Sequence, residues 1–124
     1  MIDPAEWARC APWIADALAH SGDVYTLSDV EFMIATGAAR FWPGRDAALI
    51  TRVEYYPRAT WLLLWLAGGD LAELRDDLRP AAEAWGKSQD CTKSIIMGRL
   101  GWSKALSGVG YAPLAMVVGK DLDA

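Results

Sequence analysis

Apolar side chains recur at three- and four-residue steps near the start of the chain: Trp7, Cys10, Ala11, Ile14 and Leu18 form one stripe, which ends at Ser21-Gly22-Asp23. That spacing is the helical one, and it predicts a first helix buried along a single face. Asp3-Pro4-Ala5-Glu6 supplies its start, with Asp3 as cap, Pro4 giving the fixed φ of the first turn and Glu6 placed to reach back. A second helix is predicted after Thr26 or Ser28 as cap. Its Leu27, Val30 and Ile34, with Met33, point inward, and Gly37 offers a left-handed stop.

The period then changes. Ala39-Arg40-Phe41-Trp42 reads as a short strand, and Pro43-Gly44-Arg45-Asp46 has the residues of a tight turn, so a hairpin is expected. From Ala47 to Tyr55, Leu49, Thr51, Val53 and Tyr55 alternate with Ile50, Arg52 and Glu54, the pattern of a strand with two unlike faces. Pro57-Arg58 turns the chain again. Thr60 to Leu66 is almost wholly apolar and short, as a central strand buried on both faces would be.

Gly68-Gly69-Asp70 opens a longer helix in which Leu71, Leu74, Leu78, Ala81 and Trp85 share the inward face, and Pro80 is expected to kink or divide it. Thr92 to Leu100 reads as a strand, Gly101 to Leu106 as a short helix and Tyr111 to Gly119 as a last strand. The predicted class is α/β (α+β), a single domain over residues 1–124, in the order α-α-β-β-β-α-β-α-β.

Composition sharpens this only in part. With 53% hydrophobic and 23% charged residues among 124, the chain can bury a core and is not disordered. Twelve Lys plus Arg against sixteen Asp plus Glu leave a net charge of −4, which disfavours nucleic acid as the main ligand. Cys10 and Cys91 stand far apart without C-x-x-C spacing, and His20 is the single histidine, so two buried thiols are expected rather than a zinc site or a disulfide framework. The first residues have neither the basic nor the apolar region of an export signal. The longest apolar run, Trp61 to Ala67, is far short of the roughly 20 residues that cross a bilayer as a helix. The expectation is a soluble protein without a membrane span. Seven tryptophans are many for this length. Trp7, Trp65 and Trp85 fit core faces, whereas Trp13, Trp42 and Trp102 fall at edges or turns, where such rings either seal a small core or serve an interface.

An antiparallel meander feeding a central strand, then a glycine turn, a long helix, a strand and a short helix before a final strand, resembles the GNAT (GCN5-related N-acetyltransferase) fold over nearly the whole chain. Locally, Ala105-Leu106-Ser107-Gly108-Val109-Gly110-Tyr111 looks like the stretch that closes the family's last helix. The family's usual first strand has no counterpart. The segments RFWPG, YYPRATWLLLWLAGGDL and GRLGWSKAL also resemble small GNAT-like proteins encoded by tailed bacteriophages and prophages.

The resemblance implies a glycine turn that holds the pyrophosphate of acetyl-CoA, matched here by Leu66, Gly68 and Gly69, and a proton-handling residue, for which Glu54 is the candidate base. Two departures weigh against catalysis. The turn lacks the family's Arg or Gln and carries Asp70, which repels an anion and serves as a helix cap instead. The tyrosine that many members use as general acid aligns with Leu106, which cannot protonate a thiolate. Glu54 also reads as half of a cross-strand pair with Arg52 or Arg58 on a solvated face, and Tyr55 and Tyr56 as either an acceptor groove or packing beside a turn. The resulting expectation is a phage-type GNAT-fold protein with a degenerate acyl-CoA site and no cofactor. It would act as a structural or interaction part of a virion, located in the virion or host cytoplasm, with virion proteins or its own copies as partners. The alternative is an acyl-CoA-dependent N-acetyltransferase acting on an amine.

Overall fold

The computed structural model describes residues 2–98 and 101–122. Helix α1 (Pro4–Ala19) is capped by Asp3, whose side chain accepts from the Ala5 N–H. Helix α2 (Leu27–Ala35) opens with a full capping box: the Thr26 hydroxyl accepts from the Asp29 N–H, and the Asp29 carboxylate accepts from the Thr26 N–H. Gly37 follows at φ +83°, the left-handed conformation expected of a stop.

Strands β1 (Arg40–Pro43), β2 (Ala47–Tyr56), β3 (Ala59–Gly69) and β4 (Lys93–Ile96) form one sheet in the order β1-β2-β3-β4. The first three are an antiparallel meander, and β4 joins β3 in parallel. That parallel pair requires a crossover. It is supplied by α3 (Leu71–Glu73), a π-helical turn (Leu74–Leu78) and α4 (Arg79–Ser88), which run on without a break.

Helices cover both faces. Trp7, Cys10, Ile14, Ala17 and Leu18 of α1 and Val30 of α2 pack on Ala48, Ile50 and Leu66. On the opposite face Leu74, Leu78 and Ala82 pack on Ala47, Leu49, Leu62 and Leu64. The pairing of β2 with β3 steps between Ile50 and Thr51, so that Leu66 faces Ile50, Leu64 faces Thr51 and Trp65 is the extra residue of a bulge. Trp65 and Leu66 therefore both pack toward α1, which breaks the strict alternation of the strand.

Three expectations change. Of the expected inward positions of the long helix, Leu74 and Leu78 are buried and Trp85 packs half-buried on the same layer, whereas Leu71 and Ala81 are exposed and Ala82 and Gly86 are buried. Pro80 has no N–H to give and its ring crowds the preceding turn; the wider π-helical turn just before it adds one residue and moves the apolar stripe on by one position. The last strand, expected over Tyr111 to Gly119, is absent: beyond the short α5 (Gly101–Ala105) and a 3₁₀ turn (Ser107–Val109), residues 111–122 carry no regular structure. A strand needs a partner edge, and this segment pairs with neither edge of the sheet; Pro113 also lacks a ladder donor. The strand expected over Thr92 to Leu100 is confined to Lys93–Ile96, and its end at Arg99 and Leu100 lies outside the described residues.

Candidate functional site

The end of β3 and the start of the crossover helix form the corner where a ligand would sit in an open α/β sheet. Here each group has a partner within the chain. Asp70 caps α3, its carboxylate accepting from the Glu73 N–H at 2.9 Å. The Glu73 carboxylate in turn accepts from the main-chain N–H groups of Arg45 at 2.9 Å and Asp46 at 2.7 Å. Those adjacent amides are an anion-binding pair, and the anion in it is Glu73 itself. From the other side, the Arg9 guanidinium donates to the carbonyls of Arg45 at 2.8 Å and Gly44 at 2.6 Å, and to Glu6. The β1–β2 turn is thus clamped between Arg9 of α1 and Glu73 of α3.

The glycines of this corner are required by close packing. A Cβ on Gly68 would stand 2.5 Å from the main-chain oxygen of Trp13, so its lack of a side chain lets α1 lie against the sheet. Gly69, at φ +100°, would drive a Cβ into the backbone at Asp46 and Ala47. Leu66 is buried against α1. The three residues expected at a pyrophosphate are adjacent, and each faces a neighbouring segment of the chain.

Glu54 lies elsewhere. It pairs with Trp61 across the ladder, seven residues from Gly68 along β3, which is roughly 20 Å at strand rise. Its carboxylate is 3.5 Å from the Arg52 guanidinium on the same strand, an ion pair along the strand rather than across it. Tyr55 and Tyr56 beyond it are exposed.

The pairing of β3 with β4 stops at Leu64 and Ile96, where β4 itself ends, while β3 continues to Gly69. Beside this end is a crevice of about 30 Å³ lined by Ala17, His20, Trp65, Ala67, Ile96 and Trp102, among others. His20, which sequence reasoning set aside as a lone histidine, stands at its rim. Its Nδ1 lies 2.9 Å from the Asp16 carbonyl oxygen and 3.8 Å from the Asp16 carboxylate.

A second group missed in the sequence surrounds Tyr111. Its hydroxyl donates to Glu83 Oε2 at 2.7 Å and lies 2.6 Å from Ser94 Oγ, while Arg79 donates to the same Glu83 oxygen at 2.7 Å. Burial pushes the Tyr111 phenol well above its ordinary range, with Glu83 adding to the rise and Ser94 opposing it. A phenol so placed ties the segment after α5 to α4 and β4. Only the Arg79–Glu83 spacing of four was visible in the sequence as a helical pair. Leu106 is buried. Among the described residues no cluster of His, Cys, Asp and Glu could hold a metal, and no helix is long and apolar enough to cross a membrane.

Helices on both faces of a mixed four-stranded sheet, with one parallel pair and a bulge on its inner strand, make a GNAT-like fold. The likeness extends along almost the whole chain in solved structures. A wild-type protein of Thermus thermophilus matches with TM-score 0.68 at 13% identity, over 98% of this chain and 93% of that one. An acetyltransferase of Trypanosoma brucei matches with TM-score 0.63 at 12% identity, over 98% and 96%. Glucosamine-6-phosphate N-acetyltransferase from Arabidopsis thaliana gives TM-score 0.61 at 12% identity, over 98% and 95%. No family model and no curated protein matches the sequence. At such identities the shared property is the fold.

Proposed function

We propose that this chain is a GNAT-fold interaction protein whose coenzyme cleft is closed by its own carboxylates, and that it works as a part of an assembly rather than as an acyltransferase. The observation that carries this reading is Glu73 seated on the Arg45 and Asp46 amides beside the Asp70 cap, which puts two negative charges where a polyphosphate would need donors. Titration with acetyl-CoA, by calorimetry and by thermal melting, is the test. A ligand at a hundred times its dissociation constant would add about 2.7 kcal/mol of stability. No heat and no shift are expected; a saturable shift overturns the reading. The likeness of the tryptophan-rich segments to small phage-encoded proteins supports a virion as the assembly, with virion or host cytoplasm as its location. Recovery of the chain in purified particles would be the matching result, and its presence only as free protein in lysates would count against it.

The second reading is an N-acetyltransferase. It is favoured by the end of β3, which runs on past its last partner in β4, with a crevice beside Trp65 and Ala67 and the His20 ring at its rim. In that reading acetyl-CoA is the cofactor, held by Leu66, Gly68 and Gly69, and His20 rather than the distant Glu54 is the base. Acetyl transfer to amines that survives in Glu54→Gln and is lost in His20→Gln would establish it.

A further inference from the structure

The excess of acid over base is gathered in one quarter of the chain. Residues 10–39 contain Asp16, Asp23, Asp29 and Glu31 and neither Lys nor Arg, and those four acids equal the net charge of −4; the rest of the chain holds twelve acids and twelve bases. This stretch folds into the greater part of α1, the turn after it and α2, so the surplus lies on one corner of the molecule. Such a local field draws cationic partners and turns anionic ones away.

The same corner carries an open groove of about 320 Å³, at the small end of the range of ligand sites. Its walls are Ala15 and Leu18 of α1, Val24 and Tyr25 of the turn, and Leu27 of α2. It shares no residue with the crevice beside Trp65 and Ala67. Val24 is 73% exposed. The charged side chain of the lining is Asp23. Its main chain is held in place, with the N–H donating to the Leu18 carbonyl at 3.2 Å. Asp29 is engaged with Thr26 in the capping box, and Asp16 lies 3.8 Å from the His20 ring, but the Asp23 carboxylate meets no donor among the described residues.

An apolar groove with one carboxylate in its lining is complementary to a side chain that is apolar along its stem and cationic at its tip. Arginine suits it better than lysine, because the planar guanidinium gives a carboxylate two parallel hydrogen bonds and is more weakly hydrated than an ammonium. Charge also selects the molecule that brings the arginine. Four unbalanced acids repel nucleic acid and anionic membrane, and a second copy of this chain has no surplus of bases to offer. We infer that the α1–α2 corner docks a basic segment of another protein, with one arginine lying in the groove against Asp23 and an apolar neighbour covering Val24. This gives the interaction reading a partner chemistry, yet it stands on the groove and not on the closed coenzyme corner.

Fluorescence anisotropy tests it on the full chain with a labelled peptide of alternating arginine and leucine, blocked at both ends. The peptide has no amine, so its binding does not report use as an acetyl acceptor. The expected result is saturable binding that added salt weakens, and no binding of the same peptide with glutamate in place of arginine. Asp23→Asn should weaken the complex by roughly fivefold to tenfold. Asparagine tolerates the left-handed backbone of this position, at φ +55°, so the turn is kept. Ala15→Arg, at an exposed position of α1, supplies the cation from within and should abolish binding. Amide shifts of the wild type on adding the peptide should fall on residues 15–27, which decides the matter even where a variant fails to fold. Absence of saturable binding, equal binding of the glutamate peptide, indifference to either substitution, or shifts confined to other parts of the chain each overturns the inference. Acetyl-CoA titration separates the two readings: its binding would overturn the closed corner and leave the groove untouched, whereas a peptide that fails to bind leaves the corner closed.

Discussion

Glu73 accepts two main-chain N–H bonds across a span of 27 and 28 residues, which makes it a tether between the β1–β2 turn and the crossover helix. Hydrogen bonds to a charged acceptor contribute about 1.5–3 kcal/mol when sheltered and less when water competes. Glu73→Ala should lower the free energy of unfolding by about 2 kcal/mol in urea titrations, whereas Glu73→Asp, too short to span both amides, should recover little. Tyr111→Phe leaves Glu83 and Ser94 short of a partner in a half-buried site, and a cost of about 1–3 kcal/mol is expected from the same titration. The Asp29 carboxyl is held below the usual carboxylate range by the Thr26 N–H and hydroxyl of the capping box. A carboxyl whose folded pKa is depressed contributes stability above its unfolded value, near pH 4, and loses it as pH falls through the folded value. A plot of stability against pH should therefore keep a shallower acid limb in Asp29→Asn than in the wild type.

At the level of elements, the close approach of α1 to the end of β3 leaves no room for a side chain at Gly68. Gly68→Ala sets a Cβ against rigid main chain at Trp13, and overpacking of that kind costs about 1–3 kcal/mol. Chemical denaturation measures it, and an unchanged midpoint would mean that α1 shifts freely. The elements themselves were legible where local signals agree. Asp3-Pro4 and Thr26 name their helix starts, Gly37 its stop, and the Pro43-Gly44 turn its hairpin, because caps and turns depend on neighbours in sequence. The π-helical turn was not legible. Pro80 announces a disturbance, but whether it kinks the rod or widens one turn depends on how Leu74, Leu78 and Ala82 meet the sheet. The missing last strand has the same origin: its composition suits a strand, and composition does not supply a partner. For the candidate site, Asp70 as a cap was readable from its place before the helix. The seat of Glu73 on a turn 27 residues away was not, since nothing near it in sequence shows the fold-back.

On the scale of the whole molecule, the sheet is one body shared by two apolar layers. β2 gives Ile50 to the α1 side and Leu49 to the α4 side, so neither layer can be lost while the other keeps its sheet. Ile14→Ala and Leu62→Ala, one in each layer, should each cost about 2–5 kcal/mol and still unfold in a single transition that fluorescence and circular dichroism report alike. Separate transitions would show that the layers melt independently. The two thiols, both expected to be buried, differ: Cys10 is buried and Cys91 only half-buried, and burial pushes both up, away from the reactive thiolate, so in the native protein Cys10 should react with thiol reagents more slowly than Cys91.

The clamp on the β1–β2 turn also constrains what substitution can do at this corner. A variant meant to open the turn to a new ligand would have to shed Glu73 and Asp70, and each loss on its own loosens a hairpin or uncaps a helix before any ligand can compensate. Proteins close to their stability threshold seldom cross such a valley one substitution at a time. Redesign of this corner therefore calls for paired changes, in which a stabilising substitution elsewhere precedes the loss of either carboxylate.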